Sequence, residues 1–160
     1  MTDDHTDPPP TRRAARPAAD DRVCPSCGAA TDLDWEPATE AVIGSVAAAL
    51  ERRPVRRCPL GHRSSAAEVA ETANRMVRDA LLHARRSRLR GDRCATCREP
   101  LTLPARRTGR SVTIAGSAVA VHTLHLDVPV IRCGECGQDQ VPTRSHADLA
   151  AAVAAAYEPT

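Results

Sequence analysis

The sequence predicts an α+β protein: two small β modules, each closed by a cluster of cysteines, joined by one long amphipathic helix and followed by a short C-terminal helix. Three observations lead there. All seven cysteines fall into two sets that open with a C-x-x-C pair, Cys24/Cys27 and Cys94/Cys97. Short runs of alternating apolar residues lie within each set, the pattern of half-buried strands. Between the sets, apolar residues recur at helical spacing from Ser65 to Arg90. With one Trp, one Tyr and no Phe, the core has to be built from Val, Leu, Ile and Ala, and modules of this size commonly need a staple.

Residues 1–21 read as a disordered tail, because Pro8, Pro9, Pro10 and Pro17 interrupt alternating Asp and Arg with no apolar period. No apolar h-region or membrane-length run stands out, and C-x-x-C spacing is the usage of a reducing compartment, so the cytoplasm is the expected location.

The first module spans residues 22–63. Leu33 and Trp35 alternate with Asp32 and Asp34 as a short strand ending at Pro37, and Gly28 lets the chain turn under the cysteines. Thr39 caps a helix predicted over residues 39–52, with Val42, Ile43, Val46, Ala47 and Leu50 on one face and Gly44 as a weak point. Pro54 stops it, and residues 55–57 lead as a strand into Cys58-Pro59-Leu60-Gly61-His62.

The linking helix falls within residues 64–91. Ser65-Ala66-Ala67-Glu68 has the form of a capping box. Val69, Ala73, Met76, Val77, Ala80, Leu81 and Ala84 make the stripe, and Gly91 is the stop. Such a rod is roughly 38 Å long and needs cover, either from the metal modules or from a second copy pairing through residues 65–90. Arginine is concentrated here: residues 52–93 hold twelve Arg against four acids. Arg85, Arg86, Arg88 and Arg90 are candidate nucleic-acid contacts, with a solvated helix face as the alternative. The chain has no Lys, a bias that fits a GC-rich genome.

The second module, residues 92–160, opens at Cys94. Leu101 and Leu103 suggest a strand, Arg106–Arg110 a basic turn, and Val112 and Ile114 a strand that turns at residues 115–118. The apolar parity shifts from Val119 and Val121 to Leu124, Leu126, Val128 and Val130, which predicts a β-bulge near His122–Thr123. The strand delivers Cys133 and Cys136. Ser145 opens the closing helix, whose face is Leu149, Ala150, Val153 and Tyr157, expected to cover this module's sheet.

Four thiolates (Cys94, Cys97, Cys133, Cys136) and three thiolates with an imidazole (Cys24, Cys27, Cys58, His62) are two complete tetrahedral sets, and His62 supplies the ligand that seven cysteines cannot. Both modules are therefore zinc-ribbon-like, with two zinc ions; for the four-cysteine site, ligand type alone leaves iron open. A full set leaves no position for a reactive water, and no nucleophile–base pair, phosphate loop or dinucleotide fingerprint accompanies it. The chain is therefore read as a non-enzyme. His83, His122, His125 and His146 read as surface or satisfied histidines.

Residues 94–157 resemble the YgiT-type zinc-finger module, the zinc-binding half of the bacterial MqsA-like antitoxins. The likeness rests on Cys94-x-x-Cys97, the basic β-rich segment after it, Asp127-Val128-Pro129-Val130-Ile131-Arg132-Cys133-Gly134-Glu135-Cys136-Gly137, and Leu149 and Val153 on the closing helix. It implies metal-ligand roles for Cys94, Cys97, Cys133 and Cys136, and a structural zinc in a β-rich fold used for protein contact. The expectation is a regulatory adaptor that binds another protein. A nucleic-acid-associated factor using residues 52–93 is the first alternative, and a thiol redox or zinc sensor the second.

Overall fold

A computed structural model describes residues 22–81, 85–87, 91–116 and 119–158, with backbone only at 85–87, 119 and 120. The elements are, in order, β1 (Asp32–Ile43), β2 (Val46–Arg57), β3 (Arg63–Ser65), α1 (Ala67–Ala80), β4 (Arg85–Ser87), β5 (Gly91–Arg93), β6 (Arg106–Gly116), β7 (Val119–Arg132), β8 (Asp139–Gln140), a 3-10 turn (Thr143–Ser145) and α2 (His146–Tyr157). The expected pair of modules joined by a long helix does not form. One antiparallel sheet runs β1-β2-β7-β6, with β3 added to β2 and β8 to β7, and so takes its strands from both halves of the chain. The pair β4–β5 stands apart. No helix among the described residues is long and apolar enough to cross a membrane.

The helix expected over residues 39–52 is instead a hairpin. Gly44 and Ser45 make a two-residue turn between the paired residues Ile43 and Val46, and Gly44 takes the positive φ (54°) that such turns require. Residues 46–50 fit a period of two as well as one of 3.6, and Val46, Ala48 and Leu50 are all buried. Sheet partners on both sides of β2 decide between the two periods. Pro37 does not end β1; it lies within it, opposite Arg52, on an edge strand where a missing N–H is tolerated. Pro54 lies in β2 between the stretch paired to β7 and the stretch paired to β3, so no partner on that flank requires its N–H.

The long helix is also overturned. α1 covers only Ala67–Ala80, and the chain is back in strand at Arg85–Ser87. Ser65 does not cap it, since Ala66 occupies the cap position; Glu68 is drawn to Arg56, whose Nε donates to it at 2.9 Å. Val69, Ala73 and Val77 are buried as expected, but Ala80 is exposed and Ala84 lies outside the described residues. Gly91 begins β5 rather than ending a helix. Residues 101–103 form no strand, and Arg106–Arg110 are the first residues of β6, paired to Val130–Leu126, not a turn. The register shift falls where Ile114 faces His122 and Gly116 faces Val119, just before the predicted place.

Matching Cys58 to Cys133 exposes an internal repeat: Pro54-Val55-Arg56-Arg57-Cys58 against Pro129-Val130-Ile131-Arg132-Cys133. Each half contains a C-x-x-C knuckle, a long hairpin, a second knuckle, a short added strand and a helix. Under this match Ala49 corresponds to Leu124 and Leu50 to His125. The pairs Ala49–His125 and Leu50–Leu124 at the β2–β7 seam therefore exchange, as they do about a two-fold axis.

The helices cross over. α2 packs on β1 and β2 of the first half, α1 packs on β6 of the second, and the two helices touch. The closing helix, expected to cover its own module's sheet, thus packs mainly on the other hairpin, with Tyr157 reaching His122 of β7. Its inner face is Leu149, Ala152, Val153, Ala156 and Tyr157; Ala150 is exposed. The hairpin tips cross over in the same way. Arg107 donates to the Ser45 carbonyl at 3.0 Å, and the Ala115 N–H meets Met76 Sδ of α1 at 3.4 Å. A single core of Val, Leu, Ile and Ala, with Tyr157, is the result. Glu51, Ser111, Thr113 and His125 lie exposed on the sheet.

Candidate metal centres

Each centre is made by two knuckles at the two ends of one hairpin. Three knuckles share a backbone design. The N–H of Gly28, Arg98 and Gly137 donates to the carbonyl of Cys24, Cys94 and Cys133 respectively, at 2.9–3.0 Å. The N–H of those cysteines donates to Ala29, Glu99 and Gln138 at 2.8–2.9 Å. Gly28, Arg98 and Gly137 all take positive φ (71°, 68° and 71°), which turns the chain back beneath the sulfurs. The fourth knuckle is tighter: the Gly61 N–H donates to Cys58 at 2.9 Å, and the Cys58 N–H donates to His62 at 3.1 Å. Gly61 holds the place of a second cysteine, and the longer His62 side chain reaches in from the next residue.

The ligand atoms converge in both places, within 4.8 Å of one another in each set. Cys24 Sγ lies 3.7 Å from His62 Nδ1, and Cys27 Sγ 3.7 Å from Cys58 Sγ. In the second set Cys94 Sγ lies 3.6 Å from Cys136 Sγ, and Cys97 Sγ 3.5 Å from Cys133 Sγ. A tetrahedral ion with metal–sulfur bonds of ~2.3 Å needs ligand edges of about 3.8 Å, so both sets fit one. These separations are far beyond the ~2.05 Å of a disulfide, and all seven cysteines are free. Cys24, Cys58, Cys94 and Cys133 are buried, whereas Cys27, His62 and Cys136 lie at the surface. All eight residues singled out in the sequence are thus brought together as two sets of four.

The backbone prepares one thiolate in each set. Burial opposes the charged form of Cys24, but N–H groups of Ser26 and Cys27, with the Cys27 and His62 side chains, bring its pKa down to about 6. Cys94 is also brought to about 6, against desolvation, by N–H groups of Cys97 and Thr96 and by Cys136 and Cys97. Their neighbours move the other way. Although an N–H from Ala29 favours the Cys27 thiolate, the Cys24 sulfur beside it raises its pKa. Although an N–H from Glu99 favours ionised Cys97, burial and the Cys133 and Cys94 sulfurs push it up to about 12. Crowded sulfurs that cannot all ionise alone are the condition a divalent cation relieves.

Sequence reasoning missed two features. Glu36 is buried opposite Arg53 on β2, accepts from Arg53 at 2.5 Å and from Arg63 at 2.8 Å, and is held below its usual pKa by those two arginines. Gln140, buried on β8, contacts the second centre; it belongs to no motif. Of the candidate nucleic-acid residues, Arg85 and Arg86 lie on β4, opposite Arg93 and Asp92, with side chains outside the description. Arg88 and Arg90 lie outside the described residues, as does His83. Nearer the sheet, arginines are engaged by acids: Arg53, Arg57 and Arg63 with Glu36, Arg57 with Asp34, and Arg56 with Glu68. His122 Nε2 meets the Tyr157 hydroxyl at 2.8 Å, His125 lies 3.1 Å from Ser111, and His146 3.0 Å from the Val141 carbonyl.

In comparison with known proteins, the chain matches no protein-family model, no curated protein and no solved structure.

Proposed function

We propose that this chain is a non-enzymatic protein that holds two zinc ions as structural elements and acts by binding another protein. The observation that carries the reading is the closure of both ligand sets. Each brings four donor atoms within 4.8 Å of one another, and a full set has no place for the water that hydrolytic zinc chemistry needs. Three thiolates with an imidazole favour zinc at the first centre. The likeness of residues 94–157 to the YgiT-type module supports a role in protein contact. A cytoplasmic location follows from thiols that must stay reduced to serve as ligands.

The test has two arms. Elemental analysis of protein purified without added metal is expected to give two zinc ions per chain, and a compact metal-free protein would overturn the reading. Native purification is expected to yield one stoichiometric protein partner that is retained at high salt. Retention on DNA or RNA that falls steeply with salt would favour a nucleic-acid role instead. The engagement of Arg53, Arg56, Arg57 and Arg63 by carboxylates ranks that role second.

A further inference from the structure

The two centres differ in one buried side chain. Gln140 is 1 % exposed and sits against Cys94, which is fully buried. Its Oε1 accepts from the Ala95 N–H at 2.7 Å, and its Nε2 is in contact with Cys94 Sγ, to which it donates. The orientation of the amide follows from chemistry: a backbone N–H only donates, so the oxygen must face Ala95 and the NH2 group must face the sulfur. One side chain thus spans the first two residues of the knuckle.

The internal repeat shows what occupies this place in the first half. Gln140 pairs with Ile131 on β7, Ser64 pairs with Arg56 on β2, and Ile131 and Arg56 are matched residues. Ser64 therefore stands where Gln140 stands. Its side chain is too short to bridge in the same way, and it makes no hydrogen bond to a thiol. The ligand sets differ in charge accordingly. A divalent ion with four thiolates is a net dianion; with three thiolates and a neutral imidazole it is a monoanion. Buried negative charge needs donors around it, and the more highly charged centre is the one supplied with an amide.

We propose that Gln140 is a positioning residue of the four-cysteine centre. Its amide holds the Cys94 sulfur on the ion, so this centre keeps its metal, and the centre of Cys24, Cys27, Cys58 and His62 releases first. The inference rests on the metal-binding reading above. Partners of this kind commonly change metal affinity by ~10–100-fold when removed.

The experiment uses the full chain loaded with zinc and challenged with excess EDTA. Native mass spectrometry counts the ions that remain, and alkylation followed by peptide mapping identifies the freed cysteines. Two phases are expected, with Cys24, Cys27 and Cys58 alkylated in the first and Cys94, Cys97, Cys133 and Cys136 only in the second. Gln140→Met removes both hydrogen bonds, and Gln140→Glu keeps the acceptor for Ala95 while removing the donor to Cys94. Both are expected to speed the second phase by about tenfold or more and leave the first unchanged. Wild-type behaviour of the Glu variant would reduce Gln140 to a backbone brace and overturn the proposal, as would early loss of the four-cysteine ion. A readout free of variants is NMR of the wild-type chain loaded with a spin-active cadmium isotope. A scalar coupling between the metal and the Gln140 side-chain amide is expected, and its absence would refute the contact. Fewer than two ions in the untreated protein would overturn the metal-binding reading itself.

Discussion

At the scale of single residues, buried charge is the first concern. Glu36 and Arg53 face each other across β1 and β2 with side chains 8 % and 4 % exposed, and Arg53 also donates to the Glu158 carbonyl at 2.5 Å. Removing Glu36 takes away the buried carboxylate that Arg53, Arg57 and Arg63 share. Glu36→Ala is therefore expected to cost about 3–5 kcal/mol, measured by denaturant unfolding of the metal-loaded protein. Glu36 has its pKa lowered from 4.5, so the stability it contributes is present above that value and lost as pH falls through the folded one. Acid unfolding also strips metal, and Glu36→Gln separates the two: the variant should start less stable at neutral pH and lose less on acidification. A parallel decline in both proteins would show that Glu36 has no part in acid sensitivity. Gly44 is the second sensitive position. It has positive φ, and a Cβ there would stand 2.2 Å from Asp148 Oδ2. Gly44→Ala is expected to cost about 1–2 kcal/mol from backbone strain, with displacement of Asp148 added. An unchanged melting temperature would contradict this account of the turn.

At the scale of elements, the knuckles are small turns that set the ends of long strands. The first centre joins the start of β1 to the end of β2, and the second joins the approach to β6 to the end of β7. Structural zinc in small peptides is worth on the order of 10–16 kcal/mol, against a whole-domain stability of ~5–15 kcal/mol. Stripping both ions is therefore expected to abolish the folded state, seen as loss of amide dispersion in NMR spectra and recovered on adding zinc under reducing conditions. Persistence of a dispersed spectrum in the metal-free chain would show that the sheet and helices suffice. Cys94→Ser and Cys24→Ser should each remove one centre, and by this argument either should destabilise the whole sheet, since β2 and β7 are paired.

At the scale of the molecule, the crossing of helices and hairpin tips makes each half the cover of the other. Residues 22–81 alone lack α2, so the inner faces of β1 and β2 lose their cover. Residues 91–158 alone lack α1 from over β6. Each fragment is expected to be unfolded or aggregated even with zinc, and the two mixed with zinc are expected to associate and recover strand signal in circular dichroism. A fragment that folds alone as a soluble monomer would contradict the interlocked arrangement. The repeat behind this was present in the chain as Pro-Val-x-Arg-Cys at Pro54–Cys58 and Pro129–Cys133. It is short, however, and the halves diverge elsewhere because equivalent residues occupy different surroundings: Leu50 matches His125, one buried and one exposed.

The ligand sets were legible from residues alone, because metal coordination limits which side chains serve and how far apart they sit along a turn. The periodic core of β7, from Leu124 to Val130, was legible for a similar local reason: Leu124, Leu126, Val128 and Val130 share one buried face, and His125 and Asp127 between them are exposed or half-buried. The hairpin at residues 32–57 was not, since residues 46–50 satisfy two periods and the sheet partners β1 and β7 select one. Nor was the length of α1, because a stripe of apolar residues says that cover is needed without saying where the cover ends. The place of α2 and the role of Gln140 were likewise outside its reach. A helix face does not name its partner sheet, and a lone amide becomes a donor to a sulfur only when β8 is laid beside β7. Contacts between distant residues are chosen by how surfaces fit, and that choice was made by the tertiary structure.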